Sequence, residues 1–185
     1  MTLKHIGPWQ RLDTQIVYEN PWIRINHENV ITPGNTPGIY GVVHFKSTAV
    51  GIVPVDDEGN TWLVKQTRYT LGVETLEIPE GGAPEGEDPL ECAKRELLEE
   101  VGLVAGNIQH LMTIHTSNSV TDERAEIYVA KQLTQVECAH EATEDITVIK
   151  LPLKEAILKV LNGEITDAIS VAALQRLALE HFMKL

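Results

Sequence analysis

The chain alternates between two periodicities. From Thr14 to Thr32 it reads as extended: Trp22, Arg24 and Asn26 alternate with Ile23 and Ile25, the period of a strand. Pro33 to Gly38 is a turn by composition, and Ile39 to Phe45 returns as a strand, which predicts an antiparallel hairpin. Thr48 to Val55 is apolar and β-branched, a buried strand. Asp56 to Asn60 is a turn, and Thr61 to Arg68 is the next strand. Leu76 to Pro79 is a short extended piece that runs into a glycine-rich loop. Over 88–101 the period becomes helical, with Leu90, Ala93, Leu97 and Val101 on one stripe. Asp88 suits the N-cap and Pro89 the first helical position, Glu91 has capping-box spacing, and Gly102 suits the residue just past the end. Two strands follow, Ile108 to His115 and Arg124 to Ala130. An acidic stretch, Glu137 to Asp145, precedes a strand at Ile146 to Leu151 and helices near Leu153–Leu161 and Asp167–Met183. This order predicts a mixed sheet covered by helices on two sides.

Composition narrows the picture. A chain of 185 residues can bury a single sizeable core. The net charge of -12, from 27 acidic and 15 basic residues, argues against a nucleic-acid backbone as the main partner. It also repels phosphorylated substrates unless cations and a few arginines reverse the local field. No apolar run approaches the roughly 18 residues of a membrane span, and Met1 to His5 does not begin like a signal peptide. Cys92 and Cys138 make no disulfide framework. These features predict a cytoplasmic protein with reduced thiols, no membrane contact and no nucleic-acid partner.

The candidate chemistry lies on the helix. Glu96, Glu99 and Glu100 form an acidic stripe beside the apolar one. Glu96 and Glu100 are an i,i+4 like-charge pair, unfavourable by roughly 0.2–0.5 kcal/mol unless something positive sits against them. A hard divalent cation fits that role. The loop from Gly81 to Glu87 is glycine-rich enough to bring backbone close to a ligand, and the carbonyl of Glu80 could serve as a neutral metal ligand. Arg95 among acids, with Glu87 just before the helix, predicts an internal ion pair holding loop against helix.

Gly81, Glu87, Arg95, Glu96, Leu97, Glu99, Glu100, Gly102 and Leu103 fill the spacing G-x5-E-x7-R-E-U-x-E-E-x-G-U, with U aliphatic. This pattern resembles the Nudix box. The resemblance implies an α+β fold, an α/β/α sandwich with an N-terminal hairpin extension, and hydrolysis of a nucleoside diphosphate linked to another moiety. It also implies a Mg²⁺ requirement, with Mn²⁺ as a substitute, with Glu96, Glu99 and Glu100 as metal-binding carboxylates and Glu99 and Glu100 among the catalytic ones.

Further stretches resemble the branch that hydrolyses ADP-ribose and nucleotide sugars: Leu63 to Tyr69, Glu77 to Gly82, Thr143 to Ile146 with Leu151 and Pro152, and the final helix after Gly163 to Asp167. By position, Arg68 would contact the substrate phosphates, and Glu77 would lie near substrate or metals. Trp22 and Tyr40 would flank the base. Glu144 would be the general base or an extra metal ligand, with Glu141 and Asp145 as neighbouring alternatives. The branch implies a homodimer in which residues 1–45 serve dimerisation and base binding and residues 46–185 form the hydrolase domain. One departure is the polar loop Thr116 to Arg124, which lacks the proline and glycine usual in ADP-ribose enzymes. It implies a broader or different use of nucleotide sugars. Two rival readings remain: a nucleoside triphosphate pyrophosphohydrolase, and a non-catalytic nucleotide-sugar sensor.

Overall fold

The computed structural model describes residues 3–136 and 146–183. The chain forms two compact units, Met1–Ser47 with His115–Glu123, and Thr48–Ile114 with Arg124–Leu185.

The first unit is an antiparallel sheet of β1 (Lys4–Ile6), β2 (Trp9–Glu19), β3 (Ile23–Ile31) and β4 (Pro37–Phe45), in sequential order. The alternation from 14 to 32 predicted one extended run, but the structure splits it into β2 and β3. The cause is local: Asn20 Oδ1 accepts the N–H groups of Trp22 at 2.9 Å and Ile23 at 2.8 Å, closing a turn. The hairpin of β3 and β4 matches the expectation, in register from Ile31↔Pro37 to Ile23↔Phe45. The 115–123 segment is fastened to this sheet. The Val43 N–H donates to the Val120 carbonyl at 2.9 Å and the Tyr40 hydroxyl to the Ser119 carbonyl at 2.8 Å. His44 Nδ1 lies 2.5 Å from Asp122 Oδ2.

The second unit contains β5 (Ser47–Pro54), β6 (Asn60–Arg68), β7 (Val73–Glu77), β8 (Glu80–Pro84), α1 (Pro89–Val101), β9 (Leu103–His115), β10 (Arg124–Gln135), β11 (Thr147–Pro152), α2 (Leu153–Leu161) and α3 (Ala168–Met183). Its strands form two sheets rather than one, ordered β8-β5-β10-β9 and β11-β6-β7. β5 and β10 run parallel, while β6 is antiparallel to both β7 and β11.

Strand alternation explains the layers. On β5, β6 and β10, Val53, Leu63, Ala125 and Ile127 join a core with α2 and α3. Their neighbours Val50, Ile52, Trp62, Val64, Tyr128 and Ala130 join a second core with α1. Buried side chains leave both faces of the same strands, so helices must cover both. The result is the α/β/α sandwich, and it sets the N-terminal end of β8 against α1.

Candidate active site

The box helix has the predicted ends. Asp88 is its N-cap and accepts the Leu90 N–H at 2.9 Å. Gly102 caps the other end in the left-handed region at φ 65°, where glycine carries no Cβ penalty. Ala93, Leu97 and Val101 are buried, Leu90 packs at the edge of the same core, and Cys92 is buried beside them. Burial, with Glu96 nearby, pushes the Cys92 thiol up to about 12, so it stays protonated.

The acidic stripe faces β8. Glu100 is only 3% exposed, and its Oε2 accepts the Glu80 N–H at 2.9 Å. Gly81 lies against Glu96 so closely that a Cβ there would fall 1.9 Å from Glu96 Oε1. The segment read as a loop from its glycines is therefore a short strand, and glycine lets its backbone approach the carboxylates. Arg95 forms the expected clamp. Its guanidinium reaches Glu87 and the Gly82 carbonyl at 3.3 Å, Glu96 at 2.7 Å and Glu99 at 3.0 Å. These carboxylates hold the guanidinium above its ordinary value.

This donor set fits a hard divalent cation. Carboxylate oxygens on one helix face the backbone of Glu80 and Gly81, and the site tolerates no side chain between them.

A second set of charges adjoins it. Arg68, at the end of β6, donates Nε to both oxygens of Glu77 at 2.9 and 3.0 Å, and Nη2 to Glu77 Oε2 at 2.5 Å. Nη2 also donates to Glu80 Oε1. Burial raises the pKa of the Glu77 carboxyl, but the Arg68 bond outweighs it, and Glu77 ends below its ordinary value. Glu80 is pushed well above its own by burial first and by Asp167 second. Asp167 precedes α3 and accepts the Ser170 N–H at 2.7 Å. Neither the Glu80 side chain nor Asp167 figured among the expected site residues. An Asp just before a helix reads as a cap, and nothing local in sequence ties it to residue 77 or 80.

The structure brings Arg68, Glu77, Glu80, Gly81, Glu87, Arg95, Glu96, Glu99, Glu100 and Gly102 into one region of the second unit. Trp22 and Tyr40 belong to the first unit, and one chain does not bring them together. Tyr40 pairs across from Glu28, six positions along β3 from Trp22, or about 20 Å. Trp22 is 72% exposed at the β2–β3 turn. Tyr40 meets Trp9 edge-to-face at 5.7 Å. Both line a cleft of about 260 Å³ with Glu28, Asn118 and Thr121. Glu144, Glu141 and Asp145 lie outside the described residues.

The family profile for the NUDIX domain matches residues 46–180. The chain belongs to the Nudix family. The profile of the nucleoside diphosphate sugar hydrolase N-terminal domain matches residues 9–43. Among similar Nudix-length proteins, an ADP-ribose pyrophosphatase of Mycobacterium tuberculosis (strain ATCC 25618 / H37Rv) is 35% identical, over 89% of this chain and 80% of that protein. An ADP-ribose pyrophosphatase of Bacillus subtilis (strain 168) is 34% identical, over 74% and 75%. In three dimensions the Nudix chain resembles a crystal structure of an ADP compounds hydrolase with a TM-score of 0.83, covering 98% of this chain and 97% of that one at 22% identity. Among the described residues, no helix is long and apolar enough to cross a membrane.

Proposed function

We propose that this Nudix chain hydrolyses the diphosphate bond of nucleoside diphosphate sugars, ADP-ribose or related compounds, to a nucleoside monophosphate and a sugar phosphate. The observation that carries the reading is the approach of the β8 backbone to the α1 carboxylates, with the Glu80 N–H on Glu100 and Gly81 against Glu96. Glu96, Glu99, Glu100 and the Glu80 carbonyl would hold Mg²⁺, or Mn²⁺ in its place. When bound, the ion neutralises diphosphate charge and acidifies water.

The protein's own residues do the rest. Arg95 spans Glu96 and Glu99 and fixes their rotamers against β8. Arg68 supplies a planar cation beside them for the phosphates, oriented by Glu77. Glu144 orients and deprotonates the attacking water, with Glu141 and Asp145 as alternatives. The polar 116–124 loop would offer hydrogen bonds to sugar hydroxyls, which extends the proposal to nucleotide sugars beyond ADP-ribose alone.

The N-terminal unit, taken as residues 1–45, would serve base binding and dimerisation, and residues 46–185 would carry the chemistry. A homodimer with exchanged N-terminal strands is supported by the separation of Trp22 from Tyr40 within one chain, because two chains can supply one aromatic each to a single base. The buried, protonated Cys92 suits a reducing, cytoplasmic setting.

The test is turnover of a panel of nucleoside diphosphate sugars with Mg²⁺, with products identified. Wild type should release a nucleoside monophosphate. Glu100→Gln keeps an acceptor for the Glu80 N–H and should fold, yet lose roughly two to three orders of magnitude in kcat, by analogy with loss of other electrostatic stabilisers. An active, metal-independent Glu100→Gln protein would sink the assignment. Pyrophosphate release from a triphosphate would move it to the triphosphate reading. Binding without any turnover would move it to a sensor.

A further inference from the structure

Glu77, Glu80 and Asp167 reach one point from three elements: the end of β7, the start of β8 and the residue before α3. One carboxylate oxygen from each lies within 4.8 Å of the other two. Oxygens around an octahedral Mg²⁺ ion stand about 3 Å apart when adjacent and about 4.2 Å when opposed, and somewhat more around Ca²⁺. The three groups are near enough to close on a single ion by side-chain rotation.

Two further observations point to a ligand. Glu80 has a side chain only 10% exposed, and its Oε2 is buried without a hydrogen-bond partner. A buried carboxylate oxygen left bare is costly, so something is expected to meet it. Arg68 does not fill this role, since it engages Glu80 through Oε1 and turns its Nε and Nη2 to Glu77. Charge gives the second observation. Three carboxyl groups face one guanidinium, and a divalent cation would favour the ionised form of Glu80 that burial and its acidic neighbours oppose.

We propose that Glu77, Glu80 and Asp167 form a divalent-cation site separate from the glutamates of the box, with Glu80 Oε2 as its buried ligand. Mn²⁺, Mg²⁺ and Ca²⁺ all match the oxygen donors. The site is tied to the box through one residue. The Glu80 side chain belongs to the new site, while its backbone N–H bonds Glu100. Filling the site relieves the crowding of Glu77 and Glu80 around Arg68 and fixes the start of β8 against α1.

The test counts ions rather than turnover, so its failure leaves the hydrolase reading standing. Mn²⁺ is titrated into the full chain, and free ion is followed by electron paramagnetic resonance. In the Glu96→Gln, Glu99→Gln, Glu100→Gln triple variant, one Mn²⁺ per chain should still bind. Adding Asp167→Asn should remove it or weaken it about tenfold or more. Asparagine caps helices as well as aspartate does, so the start of α3 survives that change. A triple variant that binds no ion, or one that binds equally well with Asp167→Asn, overturns the proposal. Should the triple variant melt early by circular dichroism, the comparison moves to wild type against Asp167→Asn alone. There the count should fall by one with the melting curve kept, and an equal count overturns the site.

Discussion

Gly81 shows how one missing side chain shapes the site. A Cβ at that position would meet Glu96 Oε1 at 1.9 Å and the rest of the same carboxyl within 2.7 Å. Glu96 cannot simply yield, because Arg95 holds it at 2.7 Å. Gly81→Ala should therefore push the carboxylate off β8 and cost about 1–3 kcal/mol of stability as an overpacked contact. Divalent-ion affinity should fall with it. Calorimetric Mn²⁺ titration beside thermal unfolding checks both, and wild-type ion affinity in Gly81→Ala would show that Glu96 does not need its present position. Sequence spacing made Gly81, Arg95 and the glutamates legible, because all lie within one loop and helix and their chemistry is local. The Glu80 side chain and Asp167 were not legible. They meet across nearly ninety residues, and the contact depends on how α3 packs, which no local pattern records.

At the scale of elements, α1 could be read to its ends because its caps are local: Asp88 accepts the Leu90 N–H, and Gly102 takes the left-handed conformation. The β2–β3 break was hidden for the opposite reason. The Asn20 turn is tight enough that alternation continues on both sides of it, so periodicity alone reads straight through. The turn between β5 and β6 gives a pH prediction. Asp56 Oδ1 accepts the Asn60 N–H at 2.7 Å, and Oδ2 pairs with Lys150 of β11 at 2.9 Å. Burial raises its pKa, yet the bonds from Asn60 and Lys150 outweigh that and bring it from 3.8 down to about 2. A carboxyl depressed on folding contributes stability that is present above its unfolded value and lost as pH falls toward its folded one. Wild type should therefore melt above Asp56→Asn at neutral pH. The gap in Tm should close between pH 3.8 and about 2. Melting curves across that window check it, and a gap that stays constant through it would remove Asp56 from the account.

Across the whole molecule, the N-terminal sheet leaves more apolar surface in water than its own fold explains. Ile16, Val17 and Tyr18 on β2 are each more than half exposed, as are Trp22 and Ile39 on the neighbouring hairpin. Ile16, Val17 and Tyr18 are successive, so this stretch of β2 keeps its apolar side chains in water without a break. The bulge between Ile16 and Tyr18 twists this strand at the same place. Scattered apolar residues on a surface need no partner, whereas a contiguous set on one strand is what the proposed homodimer would bury. The proposed homodimer uses this strand. A chain of 20.5 kDa should then run at twice that mass in light scattering coupled to gel filtration. Val17→Glu places a charge in the apolar set and adds to a surface already at -12, so it should shift the population to single chains as protein is diluted. The variant should keep its melting profile within the second unit, because Val17 is an exposed residue of the first. If base binding draws one aromatic from each chain, the KM for nucleotide sugars should rise in parallel with the loss of dimer, while ion binding at the box glutamates stays as in wild type. A wild-type protein that runs as a single chain at all concentrations, with full turnover, would remove the exchange of N-terminal strands from the proposal and return Trp22 to an ordinary exposed side chain.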